Sequence, residues 1–279
     1  MTRYLIGLLF DKYFFILNLF SKCKCVYVLM YHRVNDNLPV GDLSMSVKTF
    51  REQMQYLKNY CEVINLERIQ EIQNLSSGYR PKVIITIDDG YRDTYVSAFP
   101  VLKEFALPAT VFLTTGFIGT DKKIQRYEQM PSPDMLNWQE IKSMQAHNIS
   151  FGPHTVNHPY LSKLSYEQQK VEIQKSIDDL RLHLPNTPSN PIFCYPYGQY
   201  NQDTLHILQD LGIKAALTTY PGPNNIESKP LELKRISADG RHNLVEFIKT
   251  ISPSLNKGIK WRVESFKYNF KNFFIKSRK

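Results

Sequence analysis

Short apolar runs alternating with helix-patterned stretches constrain this fold more than any other feature of the chain. The runs occupy residues 26–31, 83–87, 109–114, 149–151, 192–195 and 215–218. Between them, residues 47–59, 92–104, 138–147 and 165–183 carry helical patterns. Apolar runs that alternate with helices in this way read as βα units of a mostly parallel sheet, an α/β fold. Ser165 with Gln168 three residues on is the pattern of a capping box, and Gly212 follows the helical pattern at 203–211 as a C-cap. Six or more βα units in 279 residues fit a barrel better than an open sheet, although periodicity alone does not separate the two.

A chain of this length can bury one sizeable core. With 42% apolar and 22% charged residues it has the composition of a globular protein rather than a disordered one. The formal net charge of +9 favours anionic surfaces. No zinc-finger, RRM or helix-turn-helix signature accompanies that charge, and the basic residues gather at the C-terminus, so no nucleic-acid partner is expected. Cys23, Cys25, Cys61 and Cys194 form no CxxC pair, and the expectation is idle thiols in a reducing compartment.

The ends differ from the middle. Two apolar stretches, 4–10 and 13–20, are split by Asp11 and Lys12, which is too broken for a signal peptide and costly for a spanning helix. A helix lying on a membrane or docked on the barrel is expected for residues 1–25. From Lys257 onward eight Lys or Arg face one acid, Glu264, while Ile259, Val263, Phe266, Phe270 and Phe273 recur at helical spacing. A basic amphipathic tail of this kind suits an anionic membrane surface, or packs its aromatic stripe on the barrel.

Chemistry concentrates at the ends of the apolar runs. Asp88 and Asp89 close the run at 83–87, and adjacent carboxylates repel unless a cation or shared proton intervenes. One natural arrangement gives a metal to one Asp and leaves its neighbour free as a base. His154 and His158 follow the run at 149–151, and on a helical turn their spacing would put both imidazoles on one face. Two His and one Asp leave coordination positions open, as a catalytic metal needs. Zinc is the default by ligand type, and the same set accepts Fe2+, Co2+, Ni2+ or Mn2+. After the run at 192–195, the turn Pro196-Tyr197-Gly198 could aim the Tyr197 amide at a developing oxyanion. His32 stands at the end of the first run.

Asp88-Asp89-Gly90, then His154-Thr155-x-x-His158-Pro159, then Pro196-Tyr197-Gly198, in that order, resembles the NodB-homology polysaccharide deacetylases, carbohydrate esterase family four. The resemblance extends over roughly residues 26–240 and takes in Leu136-Asn137-Trp138 and the stretch from Phe99-Pro100 to Thr115. It implies a distorted, incomplete (β/α) barrel over 26–245, preceded by the apolar segment 1–25 and followed by the tail 246–279. It implies that Asp89, His154 and His158 hold a divalent metal and that Asp88 is the base that activates water. The Tyr197 amide would bind the oxyanion, and the reaction would release acetate from an N-acetylated glycan.

Three positions depart from the family pattern. Ile87 stands where Phe is usual. The Arg that often precedes Pro-Tyr-Gly and orients the base is absent, with Cys194 and Tyr195 in its region. The late Leu-x-x-His motif that usually provides the acid is not evident, and His242 stands near it but out of pattern. Tyr31-His32 is similar to an early motif of the biofilm poly-N-acetylglucosamine deacetylases, which use that histidine as the acid and likewise lack the Arg. Two other classes remain to be separated by experiment: a two-His-one-carboxylate Fe(II) oxygenase, and a non-catalytic glycan-binding barrel. The expected location is the cytoplasm, peripheral on the inner face of the membrane.

Overall fold

In the computed structural model of the chain, the described residues are 25–74, 80–122, 124, 134–186, 188 and 191–251. The segment expected at 1–25, apart from Cys25, and the tail from 252 onward lie outside them. Among the described residues there is no helix long and apolar enough to cross a membrane.

The strands are β1 (Val26–Tyr31), β2 (Arg33–Val34), β3 (Ser44–Met45), β4 (Glu62–Val63), β5 (Lys82–Ile87), β6 (Ala109–Leu113), β7 (Ile149–Pro153), β8 (Phe193–Cys194), β9 (Ala216–Pro221) and β10 (Leu233–Ser237). The helices are α1 (Val47–Tyr60), α2 (Phe99–Glu104), α3 (Trp138–Gln145), α4 (Tyr166–His183), α5 (Gln202–Asp210) and α6 (Leu244–Thr250). The main sheet runs β7-β6-β5-β1-β10-β9-β8, with β4 joined to β5, and every pairing in it is parallel. Its two ends approach each other. A Cβ on Gly152 of β7 would lie 2.5 Å from the Phe112 ring and 2.9 Å from the Ile192 carbonyl oxygen beside β8. Only glycine lets the sheet curl this far, and the result is the expected distorted, incomplete (β/α) barrel.

Alternation along the strands separates two cores. Val26, Val28, Ile84, Phe112, Leu217 and Leu233 point inward and pack together, with Ile64, Leu66 and Ile69 joining them. Tyr27, Leu29 and Tyr31 point outward onto Phe50, Met54 and Leu57 of α1. The Tyr31 hydroxyl donates to buried Gln53 at 2.9 Å, so α1 is fixed in register as well as packed. Each large apolar side chain buried this way contributes about 1.5–3 kcal/mol relative to exposure. Ser46 caps α1 through the Thr49 amide, and Ser165 with Gln168 makes the expected capping box at α4.

Three local expectations are corrected. The stretch 92–104 is not one helix: a π-helical turn at Thr94–Ala98 precedes α2. Pro100 has no amide to continue the ladder, and the Phe99 amide bonds to the Thr94 carbonyl instead. Strand β10 and helix α6 had no counterpart in the apolar pattern, because β10 carries Lys234, Arg235 and Ser237 among only two apolar residues. Cys61 and Cys194 are free and buried as expected, whereas Cys25 is disulfide-bonded.

Candidate active site

The ends of β1, β5, β7 and β8 meet in one place. The Asp88 amide donates to the Tyr31 carbonyl at 2.9 Å, so Asp88 prolongs the β5–β1 ladder. Its side chain therefore follows Ile84 and Thr86 into the barrel. Asp89 leaves the strand with φ 78°, and its Oδ1 lies 3.4 Å from His154 Nε2 and 3.2 Å from His158 Nε2. All three side chains are buried.

The two histidines do not sit on a helical turn, contrary to the spacing-based expectation. Residues 154–158 form a loop after β7 in which Thr155 and His158 have φ 65° and 55°. The loop is tied on both sides. The Thr115 and Gly116 amides bond to the Thr155 and Val156 carbonyls, and Glu172 of α4 accepts from the Val156 and Asn157 amides at 3.0 and 2.9 Å. These bonds hold left-handed backbone that costs about 1–3 kcal/mol per residue when it is not glycine. Four of the six non-glycine residues with positive φ among the described residues, Asp89, Thr155, His158 and Tyr197, belong to the three sequence motifs.

The candidate ligand atoms of Asp89, His154 and His158 all lie within 4.8 Å of one another. The His154 Nδ1 faces the Cys194 carbonyl at 2.8 Å, so that nitrogen carries a proton and Nε2 is the atom turned toward Asp89. Two imidazoles and one carboxylate converging in this way suit a catalytic divalent ion. Asp88, His154 and Cys194 form a second set within the same distance. That set suits a cation poorly, because Asp88 already faces one.

That cation is Arg235, which the sequence reading missed. Its side chain, fully buried, rises from β10 inside the barrel. Nη1 and Nη2 donate to the two Asp88 oxygens at 2.8 and 2.7 Å, Nη1 also reaches Thr86 Oγ1, and Nε bonds to the Thr218 carbonyl at 2.8 Å. Burial works to raise the Asp88 pKa, but the guanidinium outweighs it and holds the carboxyl below its ordinary value. The Arg missing from its usual place before Pro-Tyr-Gly is thus matched by one from another strand. Inward parity with Leu233, once β10 is known to be a strand, is the signal that identifies it. Cys194 occupies the vacated region, and its thiol, kept protonated by burial, points at Asp88 Oδ2 from 3.7 Å.

His32 is buried on the other side of Asp88, with Nε2 3.9 Å from Oδ2. Its neighbour Arg33 pairs with buried Asp93 and lies over the Tyr91 ring, anchoring the turn after β1 to the segment after the Asp pair. Burial raises the Asp93 pKa to about 6 despite that partner. His242 lines a separate cavity against α1, beside Lys48 and Glu52. Tyr197 adopts φ 57° in a 3-10 turn, with its ring edge-on to His158 at 4.5 Å and stacked on Tyr160 at 4.0 Å.

A near-closed parallel barrel with a His-His-Asp cluster and a second, buried carboxylate at its strand ends is the framework of a hydrolase. The polysaccharide deacetylase family model matches residues 77–216. YxkH of Bacillus subtilis (strain 168) is 30% identical over 213 residues, which cover 75% of this chain and 70% of that protein. The poly-beta-1,6-N-acetyl-D-glucosamine N-deacetylase of Staphylococcus aureus (strain MRSA252) is 26% identical over 207 residues, 67% of this chain and 69% of the relative. Among solved structures, the Streptococcus pyogenes deacetylase PplD in complex with acetate superposes with a TM-score of 0.70 at 28% identity, covering 82% of this chain and 99% of PplD. The chain belongs to the polysaccharide deacetylase family, hydrolases that act on carbon–nitrogen bonds.

Proposed function

We propose that this protein is a metal-dependent deacetylase that removes N-acetyl groups from amino sugars of a polysaccharide or glycan precursor and releases acetate. The observation that carries the reading is the convergence of Asp89, His154 and His158, with Asp88 and His32 beside them at 3.9 Å from each other. Asp89, His154 and His158 would hold the divalent ion, with zinc the default for this donor set. When bound, such an ion polarises the acetyl carbonyl and lowers the pKa of water.

The chain's own residues supply the proton transfers. Asp88, kept anionic by Arg235, accepts the proton of the attacking water. The Tyr197 amide stabilises the oxyanion that develops on the acetyl carbonyl. An amide anion is a very poor leaving group, so nitrogen must gain a proton before the C–N bond breaks. His32, 3.9 Å from Asp88, is the donor. The Tyr31-His32 pair and a relative named for poly-beta-1,6-N-acetyl-D-glucosamine support the biofilm branch and an N-acetylglucosamine polymer.

The deciding experiment incubates the protein with N-acetylglucosamine oligomers and follows acetate and oxygen together. Acetate release that chelator abolishes and zinc or cobalt restores is expected. Oxygen uptake without acetate would replace this reading with an oxygenase, and glycan binding by metal-loaded protein without turnover would replace it with a binding module.

The membrane role of the tail and the cytoplasmic location remain proposals that rest on sequence. Flotation of full-length and tail-deleted protein with anionic vesicles tests the first. Failure of both to bind would remove it.

A further inference from the structure

One buried hydroxyl at the catalytic end of the barrel takes no part in the mechanism above. Thr114 follows β6 and is fully buried, and its Oγ1 has no hydrogen-bond partner among the described residues. Burying an unpaired hydroxyl is costly, and valine would fill the same space without that cost. Packing therefore gives no reason for a hydroxyl here. A ligand that bonds to it does.

The strand pattern fixes where this group lies. Phe112 faces the barrel interior, packed with Ile84 and Leu217, and its ring centroid is 6.5 Å from that of His154. Leu113 faces outward into the core shared with the helices. Thr114 keeps extended backbone, with φ −79° and ψ 90°, so alternation returns its side chain to the interior, one step nearer the catalytic end than Phe112. Backbone bonds hold it between two candidate metal ligands. Its amide donates to the Asp89 carbonyl at 3.4 Å, and the His154 amide donates to the carbonyl of the preceding Leu113 at 3.0 Å. The hydroxyl thus stands on the interior face, between the segment that carries Asp89 and the one that carries His154.

We infer that Thr114 is a further catalytic residue, whose hydroxyl hydrogen-bonds the oxygen ligand held at Asp89, His154 and His158. A hydroxyl both donates and accepts, so one group serves a water before attack and the carboxylate of acetate after it. The inference rests on the deacetylase reading above and adds a residue from the end of β6 to those that touch the reacting oxygen.

The test compares the full-length wild type with Thr114→Val and Thr114→Ser. Metal-free Thr114→Val should be at least as stable to urea as the wild type, because it loses only an unpaired hydroxyl. Loaded with zinc, it should need roughly fivefold more acetate to reach half of the full thermal shift. Its kcat on N-acetylglucosamine oligomers should fall roughly tenfold with KM little changed. Thr114→Ser, which restores the hydroxyl, should recover both. Unchanged acetate affinity in Thr114→Val, or the same loss in both variants, overturns the contact. A destabilised metal-free Thr114→Val overturns it too, since the hydroxyl would then have a structural partner, and so does a zinc-loaded wild type that gives no response to acetate. Acetate binding needs no turnover, so the two readings fail separately. A wild type that binds acetate but releases none from oligomers loses the deacetylase reading, while the acetate comparison still decides whether Thr114 makes the contact.

Discussion

Arg235 decides more of this site than any other residue outside the recognised motifs. A guanidinium is the side chain suited to this position, because its planar fork meets both oxygens of a carboxylate at once. Replacing it with Met leaves the Asp88 charge buried and unpaired, which should destabilise the protein by about 3–5 kcal/mol. A urea denaturation midpoint that does not move would refute this account. Arg235→Lys keeps the charge but loses the fork, and this variant should fold. The guanidinium depresses the Asp88 pKa, so the base is ionised at lower pH than a free carboxyl; weakening the contact raises that pKa. The acid limb of the kcat/KM profile should therefore shift to higher pH in Arg235→Lys, and a limb left in place would mean that another group sets it. The sequence concealed this residue because one Arg in Leu-Lys-Arg-Ile-Ser looks like a solvated charge until the strand's inward parity is known.

At the scale of elements, the metal-site loop is set by a helix distant from it in sequence. Glu172 holds the Val156 and Asn157 amides and also accepts from the Asn157 side chain at 2.7 Å. It touches neither histidine, yet the left-handed residues on either side of those amides bring His154 and His158 to Asp89. Glu172→Ala should therefore weaken zinc affinity by about 10–100-fold, the range for residues that orient ligands, while the far-ultraviolet dichroism stays unchanged. Competition against a chromophoric chelator measures it, and wild-type affinity in the variant would show that the loop holds its shape unaided. The spacing of the histidines correctly paired them, but the helical turn imagined for them was wrong. Spacing specifies which side chains can meet, whereas the local φ values here are imposed by partners from β6, the turn after it and α4.

For the molecule as a whole, the near-closure of the sheet creates the site, since it brings the end of β8 under His154 while β10 passes beneath Asp88. Gly152 makes that approach sterically open. Gly152→Ala would push on Phe112 and on the backbone at Ile192, and should cost about 1–3 kcal/mol of stability, the usual range for an overfilled core. Chemical denaturation of the apoprotein reads this directly. Unchanged stability would show that the two edges have slack.

Much was already determined by the sequence alone. Short apolar runs with helical patterns between them pointed to βα units and a mostly parallel sheet, and β1 was bounded correctly at both ends. The order of three motifs at run ends pointed to the deacetylase family, and Ser165 with Gln168 capped α4 as its pattern required. Such features are legible because each depends on residues close together in the chain. What only the tertiary structure decided depends on residues far apart: that the sheet curls toward closure, that Arg235 reaches Asp88 across 147 positions, that Cys194 and His32 flank the same carboxylate, and that Glu172 shapes the histidine loop. Local patterning encodes which face a residue presents. The partner it meets is settled by how the strands are ordered and packed, and that ordering is a property of the whole barrel.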